Sequence, residues 1–284
     1  MNEQIMNDIL QRLDRMADAL EKQSPSREKT APDWDQYNLW IWQSSTMSLK
    51  PITDTNILPL SLLVRLETQK DVLYQNTEQF AQGYAANNAL LWGARGTGKS
   101  ALTKSIFQEL RETYHSLNIV EIYREDLNAL IPLLDILREA KDQRFILFCD
   151  DLSFDENDSS YKSLKALLDG GVQSRPSNVI LYATSNRRHL LPRNMIENER
   201  STAIHKSESV EEKVSLSDRF GLWLGFYNAD QNAYLDMIHG YARYYDLKID
   251  DKDALEWAIT RGNRSGRVAW QFIQHIAGQQ KKLL

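Results

Sequence analysis

The chain lacks several features that would place it outside the cell or in a membrane. Among its 284 residues there is one cysteine, Cys149, so no disulfide can form within the chain, and a reducing, cytoplasmic setting fits best. No apolar run approaches the roughly 18 residues needed to span a bilayer. The first residues, which include Glu3, Asp8 and Asp14, have no apolar core of a signal peptide. We therefore expect a soluble, cytoplasmic protein with no membrane partner.

An excess of positive charge is also missing. The 34 lysines and arginines are outweighed by 39 aspartates and glutamates, which gives a net charge of −5. Proteins that coat nucleic acid are usually basic, so this balance argues against non-specific coating of DNA or RNA, although a local basic patch stays compatible with it. The five histidines show no spacing typical of metal ligands, and no Ser-His-Asp signature stands out. The length and the 42% hydrophobic content suit an ordinary globular protein of one or two domains.

The first 59 residues divide into an amphipathic segment, a linker and an aromatic arm. Residues 1–23 carry a 3-4 spacing of apolar side chains, which predicts either a short coiled coil or a helix packed on its own domain. The members of this heptad seam are Met6, Ile9, Leu13, Met16 and Leu20. Residues 24–59 begin with a polar linker and continue with a tryptophan-rich arm, which we expect to pack onto the main domain. The aromatic residues of the arm are Trp34, Tyr37, Trp40 and Trp42.

From about residue 60, apolar strands alternate with amphipathic helices. Such strands are apolar on both faces, which indicates a parallel sheet covered by helices on both sides. The predicted strands are residues 89–92, 118–122, 145–149, 179–183 and 222–226, and the predicted helices are residues 66–82, 99–114, 127–140 and 161–168. Beyond residue 228 only helices are expected, at residues 232–245, 252–260 and 266–277, with Asp230 and Ser265 as N-caps. The chain therefore predicts an α/β core of residues 60–228 and a helical domain of residues 229–284.

Residues 93–100 read GARGTGKS and match the phosphate-binding pattern G-x-x-x-x-G-K-[ST]. The segment follows an apolar strand and opens a helix, which is the context that phosphate binding requires. Its glycines let backbone N–H groups approach phosphate oxygens at the N-terminus of that helix. Lys99 is expected to reach the β- and γ-phosphates, and the Ser100 hydroxyl to coordinate Mg²⁺. The predicted nucleotide-binding residues, with ATP and Mg²⁺ as the ligands, are Gly93, Ala94, Arg95, Gly96, Thr97, Gly98, Lys99, Ser100 and Ala101.

Two aspartates, Asp150 and Asp151, follow the most apolar predicted strand. At the carboxyl edge of a parallel sheet they would face the ligand crevice. Asp150 is expected to hold Mg²⁺, directly or through water, and Asp151 to orient or activate the attacking water. The alternative is an N-cap or a solvated loop carboxylate. Cys149 is interpreted as a small buried residue rather than a reactive thiol.

Other polar residues near strand ends are weaker candidates. Asn186 is a candidate for a hydrogen bond to the γ-phosphate or to the attacking water. The alternative is that Asn186 only forms a turn. Arg219, before the fifth strand, is a candidate arginine finger, and Arg264 and Arg267 would let the helical domain sense the nucleotide; surface ion pairs are the alternative for each. A basic stretch consists of Arg187, Arg188, His189 and Arg193. It is compatible with a contact to a neighbouring subunit, with a contact to a nucleic-acid backbone or with a solvated turn.

These segments resemble the AAA+ ATPases and, more narrowly, the bacterial predicted-ATPase family called domain of unknown function 815. The similarity is carried by long stretches within residues 60–273, among them NNALLWGARGTGKS, RFILFCDDLSFDEN, NVILYATSNRRHLL, VSLSDRFGLWLGF and RGNRSGRVAWQF. It implies the AAA+ architecture, in which a five-stranded parallel αβα core with strand order 5-1-4-3-2 is followed by a helical lid. Residues 1–33 are not covered by the resemblance.

The resemblance also implies a role for each matching residue. Residues 93–100 correspond to Walker A, and Asp150 with Asp151 to Walker B, where many relatives have glutamate in place of Asp151. Asn186 corresponds to sensor 1, Arg219 to the arginine finger and Arg267 to sensor 2. Because an AAA+ finger acts on ATP held by the adjacent subunit, a homo-oligomer is implied.

One departure from the family pattern concerns the base. Arg65 stands where the family usually has glycine, in the segment expected near the adenine. The contacts of the base are therefore not defined by the resemblance.

The leading functional hypothesis is an ATPase that couples Mg²⁺-dependent hydrolysis to lid and subunit motion and remodels or loads an unknown protein or nucleic-acid client. Turnover is expected to be slow, since Asp151 reaches less far than glutamate. The alternative is an ATP-dependent binding or sensor module, whose loader-like version would contact nucleic acid through Arg187, Arg188 and Arg193. A third hypothesis, a small-molecule P-loop kinase, would be monomeric and would give Arg219 no role between subunits.

Overall fold

The computed structural model describes residues 12, 31–53, 55–154, 161–169, 175–188, 190 and 216–284. By its internal contacts the chain divides into two units, Met1–Asp33 and Trp34–Leu284. In the first unit Arg12 is helical and residues 31–33 have no regular structure. The rest of the amphipathic segment predicted at residues 1–23 lies outside the described residues.

The second unit is built on one seven-stranded sheet. Its strands are β1 (Leu39–Gln43), β2 (Ser48–Pro51), β3 (Ala89–Gly93), β4 (Leu117–Glu121), β5 (Arg144–Cys149), β6 (Val179–Ser185) and β7 (Leu222–Phe226). Their order is β2-β1-β4-β5-β6-β3-β7, and every neighbouring pair except β1 and β2 is parallel. The strands β3 to β7, numbered by themselves, have the order 5-1-4-3-2, so the predicted five-stranded parallel core is confirmed.

Two strands were not predicted: the tryptophan-rich arm forms the β1–β2 hairpin and extends the sheet beyond β4. In β1, Trp40 and Trp42 are buried while their neighbours are half-buried. This alternation with a period of two is that of a strand, in which every second side chain points to the same face. Trp34 packs its ring against Trp40 and Phe145, with centroids 4.9 and 4.8 Å apart. The arm therefore packs onto the core as expected, but it does so as two strands added at the edge of the sheet beside β4.

The helices lie between the strands and after them. They are α1 (Glu67–Ala81), α2 (Lys99–Arg111), α3 (Leu130–Glu139), α4 (Tyr161–Asp169), α5 (Gln231–Tyr244), α6 (Asp251–Thr260) and α7 (Gly266–Gln279), and short 3₁₀ helices cover Leu60–Leu62 and Arg124–Ala129. The single helix predicted at residues 127–140 is thus divided into a 3₁₀ segment and α3. Within the described residues, none of the helices combines the length and the apolarity needed to cross a membrane.

Side-chain caps define where the C-terminal helices begin. Asp230 accepts a hydrogen bond from the N–H of Ala233, and Ser265 accepts one from the N–H of Val268, so both predicted N-caps are confirmed. Asp250 caps α6 in the same way. These caps satisfy first-turn N–H groups that have no partner within a helix.

The apolar core consists of three clusters. One cluster covers the sheet face that includes Trp42 and Leu147, the second covers the opposite face with Ile106 and Phe148, and the third lies among the three C-terminal helices. Residues 58–65 join the second cluster to the third, because Leu63 belongs to the second and Leu62 to the third. We call residues 58–65 the joint.

Candidate functional site

The loop between β3 and α2 has a backbone that its glycines make possible. Gly93, Gly96 and Gly98 have φ values of 137°, 76° and 95°, which side chains rarely adopt. A Cβ atom on Gly93 would lie 1.9 Å from the carbonyl oxygen of Phe226 at the end of β7. Gly98 is the N-cap of α2 and has no side chain that could cap the helix. Unlike α5, α6 and α7, this helix therefore keeps its first N–H groups available to an anion.

Lys99 is held at the base of this loop and is only 7% exposed. Its Nζ donates hydrogen bonds to the carbonyl oxygens of Gly93 at 2.8 Å and Ala94 at 2.7 Å. A third, longer contact of 3.3 Å reaches Oδ1 of Asn186. Burial lowers the pKa of Lys99, and the carboxylates of Asp150 and Asp151 oppose that shift. Because the three acceptors are neutral, the ammonium charge is available to a negatively charged ligand.

Ser100 and Asp150 meet at the start of α2 and offer oxygen ligands. The Ser100 hydroxyl donates to Oδ1 of Asp150 at 2.5 Å, and the Thr184 hydroxyl donates to the same oxygen at 2.5 Å. No group of three or more histidine, cysteine, aspartate or glutamate side chains that could hold a metal occurs in the described part of the chain. A hydroxyl and one carboxylate fit Mg²⁺, which protein sites hold with few side chains, water and substrate phosphates.

Asp151 occupies a left-handed bend directly after β5, with φ of 53°. Its N–H donates to the Thr184 hydroxyl at 2.9 Å, and its Oδ1 accepts a hydrogen bond from Nδ2 of Asn186. The guanidinium of Arg95 lies 3.8 Å from its other carboxylate oxygen, and the side chain stays 59% exposed. Asp151 is therefore held in one orientation while water can still reach its carboxylate.

Thr184 was missed in the sequence, although it contacts both aspartates. It is only 1% exposed, and its hydroxyl donates to Asp150 while accepting from the backbone of Asp151. The register of the sheet explains the contact, because Cys149 of β5 lies beside Ala183 of β6, and the next residues on each strand are therefore neighbours. Its position in the polar end of β6, two residues before Asn186, was the available signal.

These groups line one cavity of about 580 Å³, a size that suits a small-molecule ligand. Its polar end is formed by residues 95–101 with Asp150, Asp151, Thr184 and Asn186. Its other end is lined by apolar and aromatic side chains that were not singled out in the sequence. They are Leu58 and Leu63 from the joint, Tyr241 from α5 and Trp270 from α7.

The C-terminal helices contact the loop directly at the start of α7. The N–H of Arg267 donates to the carbonyl oxygen of Gly96 at 3.1 Å, and Arg267 lines the cavity. Arg264 does not line this cavity, and its role in sensing the nucleotide stays a prediction. Arg264 lines a different cavity with residues 228–229, 258–259 and 262–263. Ser265 caps α7 between the two, so Arg264 precedes the helix while Arg267 lies in its first turn.

Neither Arg219 nor the described part of the basic stretch, Arg187 and Arg188, lines the cavity of about 580 Å³. Arg219 is half-buried just before β7 and is not among the residues that line the cavity. The guanidinium of Arg188 lies 5.3 Å from the ring centroid of Trp92. His189 and Arg193 are outside the described residues.

Arg65 does not line the nucleotide-sized cavity either. Its Nε donates to Oδ2 of Asp236 on α5 at 2.7 Å, beside a second cavity of about 920 Å³. Its φ of 62° is left-handed, which accounts for the glycine expected at this position. Leu63 of the same segment, and Leu58 before it, line the first cavity, and the contacts of a base stay a prediction.

Comparison with known proteins agrees with this architecture. The family model described as "Protein of unknown function (DUF815)" matches residues 35–280. No curated protein matches the chain. Similar solved structures include the Thermotoga maritima RuvB Holliday junction branch migration motor, with 20% identity over 74% of this chain and 60% of that one and a TM-score of 0.49.

Two further structures reach higher TM-scores. An arginine-to-alanine variant of the same RuvB has 21% identity and a TM-score of 0.51, and the Aeropyrum pernix Orc1 protein in complex with DNA has 15% and 0.50. Each of these two comparisons covers 78% of this chain and 65% of the other chain. This chain therefore spans less than two thirds of the length of these proteins. At these identities the likeness shows the fold alone, which is the AAA+ fold. The chain therefore belongs to the DUF815 family and has the AAA+ fold.

Proposed function

We propose that the chain binds ATP with Mg²⁺ in the cavity at the carboxyl edge of the sheet and hydrolyses it. The observation that carries the proposal is the convergence of three features in that cavity: the buried Lys99, the Ser100–Asp150 pair and the Asp151–Asn186 pair. A cation, a hydroxyl–carboxylate pair and a water-accessible carboxylate are the groups that phosphoryl transfer to water requires.

Each group has a role that follows from its position. The N–H groups of residues 95–101, which line the cavity, and the Lys99 ammonium hold the phosphates, and Ser100 with Asp150 holds Mg²⁺. When bound, Mg²⁺ neutralises charge that develops on the phosphates. Asp151 orients the attacking water, and Asn186 fixes Asp151 through one amide atom while contacting Lys99 through the other. Arg267 reaches the phosphates from α7.

The apolar end of the cavity takes the adenine base. Leu58 and Leu63 contribute aliphatic side chains to this lining, and Tyr241 and Trp270 contribute rings whose centroids are 5.3 Å apart. Apolar and aromatic surfaces suit the face of a purine, which gains stabilisation from such contacts. ATP placed in this way touches both the sheet and the C-terminal helices.

The C-terminal helices therefore act as a lid in this proposal. ATP joins them to the core, and hydrolysis releases that connection. The motion would serve to remodel or load a macromolecular client, which is a protein or a nucleic acid. The alternative, an ATP-dependent sensor module, is supported by the contacts of Asp151 with Arg95 and Asn186, because a restrained and short carboxylate favours slow turnover.

Phosphate release from ATP by the purified full chain tests the proposal. We expect slow release that requires Mg²⁺ and stops when the ion is chelated. Saturable ATP binding without any phosphate release would instead support the sensor module. Transfer of the phosphate to a small acceptor would support a kinase.

A shared site between subunits is the second part of the proposal. Because Arg219 does not line its own cavity, it would act on ATP held by the neighbouring copy. Arg219→Ala and Lys99→Ala proteins are each expected to be inactive, but a mixture should recover roughly one quarter of the wild-type turnover, the share of randomly formed interfaces that keep both residues. No recovery of turnover in the mixture, or a wild type that stays monomeric with ATP by light scattering, would contradict a shared site.

A further inference from the structure

The joint contacts both the sheet and the C-terminal helices, and the cavity is lined by residues from all three. Leu63 packs with the second core cluster, on the sheet, while Leu62 packs with the C-terminal helices. Val64 lies against α5, since a Cβ atom on Gly240 would be in ordinary contact with it at 3.7 Å. Two of the four residues at the apolar end of the cavity, Leu58 and Leu63, belong to the joint. Any movement of the joint therefore changes the shape of the cavity.

Arg65 ends the joint in a conformation that does not suit an arginine. Its φ of 62° lies in the left-handed region, which glycine adopts freely and other residues adopt at a cost. Its side chain nevertheless makes specific contacts with α5: Nε donates to Oδ2 of Asp236 at 2.7 Å, and a terminal nitrogen lies 2.5 Å from the same oxygen. The backbone strain is therefore accompanied by a contact that glycine could not make.

Asp236 connects Arg65 to α5, the helix that also carries the cavity-lining residue Tyr241. It lies on α5 five residues before Tyr241, and the two side chains point to different sides of the helix. Tyr241 is 3% exposed and lines the cavity, whereas Arg65 and Asp236 are about half exposed on the outer side. The ion pair thus spans the joint and α5 without touching the space for the ligand.

We propose that Arg65 and Asp236 form a positioning pair that holds the joint and α5 together and so slows the release of the bound nucleotide. The inference rests on the proposed function, because it assumes that ATP occupies the cavity. An exposed ion pair contributes little free energy, so the pair changes how long the nucleotide stays bound but is not required for binding. The pair also gives a physical reason for arginine at a position whose backbone favours glycine.

The test measures how fast the wild type and two variants release nucleotide. A fluorescent N-methylanthraniloyl-ATP bound with Mg²⁺ is chased by excess ATP in a stopped-flow instrument. Arg65→Gly and Asp236→Asn are each expected to raise the dissociation rate about two- to fivefold. Arg243→Ala is the matched control: Arg243 lines the same outer cavity, but its Nε contacts a carbonyl of its own helix. It should leave the rate unchanged.

Two further measurements separate positioning from a structural role. Arg65→Gly relieves the left-handed strain, so its thermal midpoint should stay equal to or above that of the wild type although release is faster. The double variant Arg65→Asp with Asp236→Arg restores the pair with exchanged charges, and aspartate tolerates the left-handed region, so slow release should return.

The outcomes for the pair and for the site are distinct. Binding by the wild type with equal release rates in Arg65→Gly would overturn the positioning pair alone, as would faster release in the double variant than in either single one. Absence of nucleotide binding by the wild type would overturn the proposed function and this inference with it.

Discussion

Replacing Asp151 by asparagine is expected to lower the turnover number for ATP by about 10²- to 10⁴-fold, the range for a lost proton acceptor. Asparagine keeps the size of the side chain and tolerates the left-handed φ of 53° at this bend. The Thr184 hydroxyl can still accept a bond from the backbone N–H of residue 151. Loss of activity would therefore report on the carboxylate and not on the local fold.

Phosphate release and ATP affinity should respond differently to this substitution. We expect the affinity of Asp151→Asn for ATP to stay within about threefold of the wild type, because Lys99 and the loop N–H groups make the phosphate contacts. Asp142→Asn, an exposed site before β5, is the matched control and should be fully active. Hydrolysis by Asp151→Asn at the wild-type rate would remove Asp151 from the mechanism.

Replacing Lys99 by alanine is expected to lower turnover by at least about 10²-fold. The ammonium is buried and contacts the loop, and removal of a single preorganised donor from a charged transition state costs this much. Lys141→Ala, which removes an exposed lysine elsewhere on the core, should have no effect. Turnover in Lys99→Ala within a few fold of the control would contradict the assigned role.

A second lysine variant guards against a folding artefact. The alanine variant leaves the carbonyl oxygens of Gly93 and Ala94 without the donor that they have in the wild type. Lys99→Arg keeps a positive charge and donors at this place, so it should retain more ATP affinity than Lys99→Ala at a similar thermal midpoint. Equal loss in both variants with a large fall in midpoint would show that the effect is structural.

Much of the fold follows from local patterns. The strands β3 to β7 were predictable because each is a short apolar run followed by polar or glycine residues, and the caps Asp230 and Ser265 mark helix starts directly. The hairpin β1–β2 was not, because β2 has only four residues and the tryptophans of β1 are compatible with many packed states. The break before α3 was missed because Leu127 continues the apolar spacing into the 3₁₀ segment.

The polar half of the site was predictable and the apolar half was not. The loop, the aspartates and Asn186 stand in contiguous motifs or at the ends of neighbouring strands, where parallel topology brings them together. Leu58, Tyr241 and Trp270 come from separate segments, and apolar residues there look like ordinary core residues. Only the folded arrangement of the joint and the C-terminal helices makes them one surface.

Residues that look alike in the sequence can lie in different surroundings in the fold. Arg264 and Arg267 are three residues apart and carry the same charge, yet they line different cavities, because the cap at Ser265 separates them. At Arg65 the family pattern indicated the backbone correctly, since the left-handed φ suits glycine, but it gave no indication of the contact with Asp236.

Titration calorimetry of ATP into the full chain with Mg²⁺ tests the central claim most directly, because it measures occupation of the cavity without assuming turnover. The account predicts saturable binding at one site per chain in the wild type and in Lys141→Ala, with no measurable binding in folded Lys99→Ala. Absence of binding in the wild type, or equal affinity in Lys99→Ala, would contradict it.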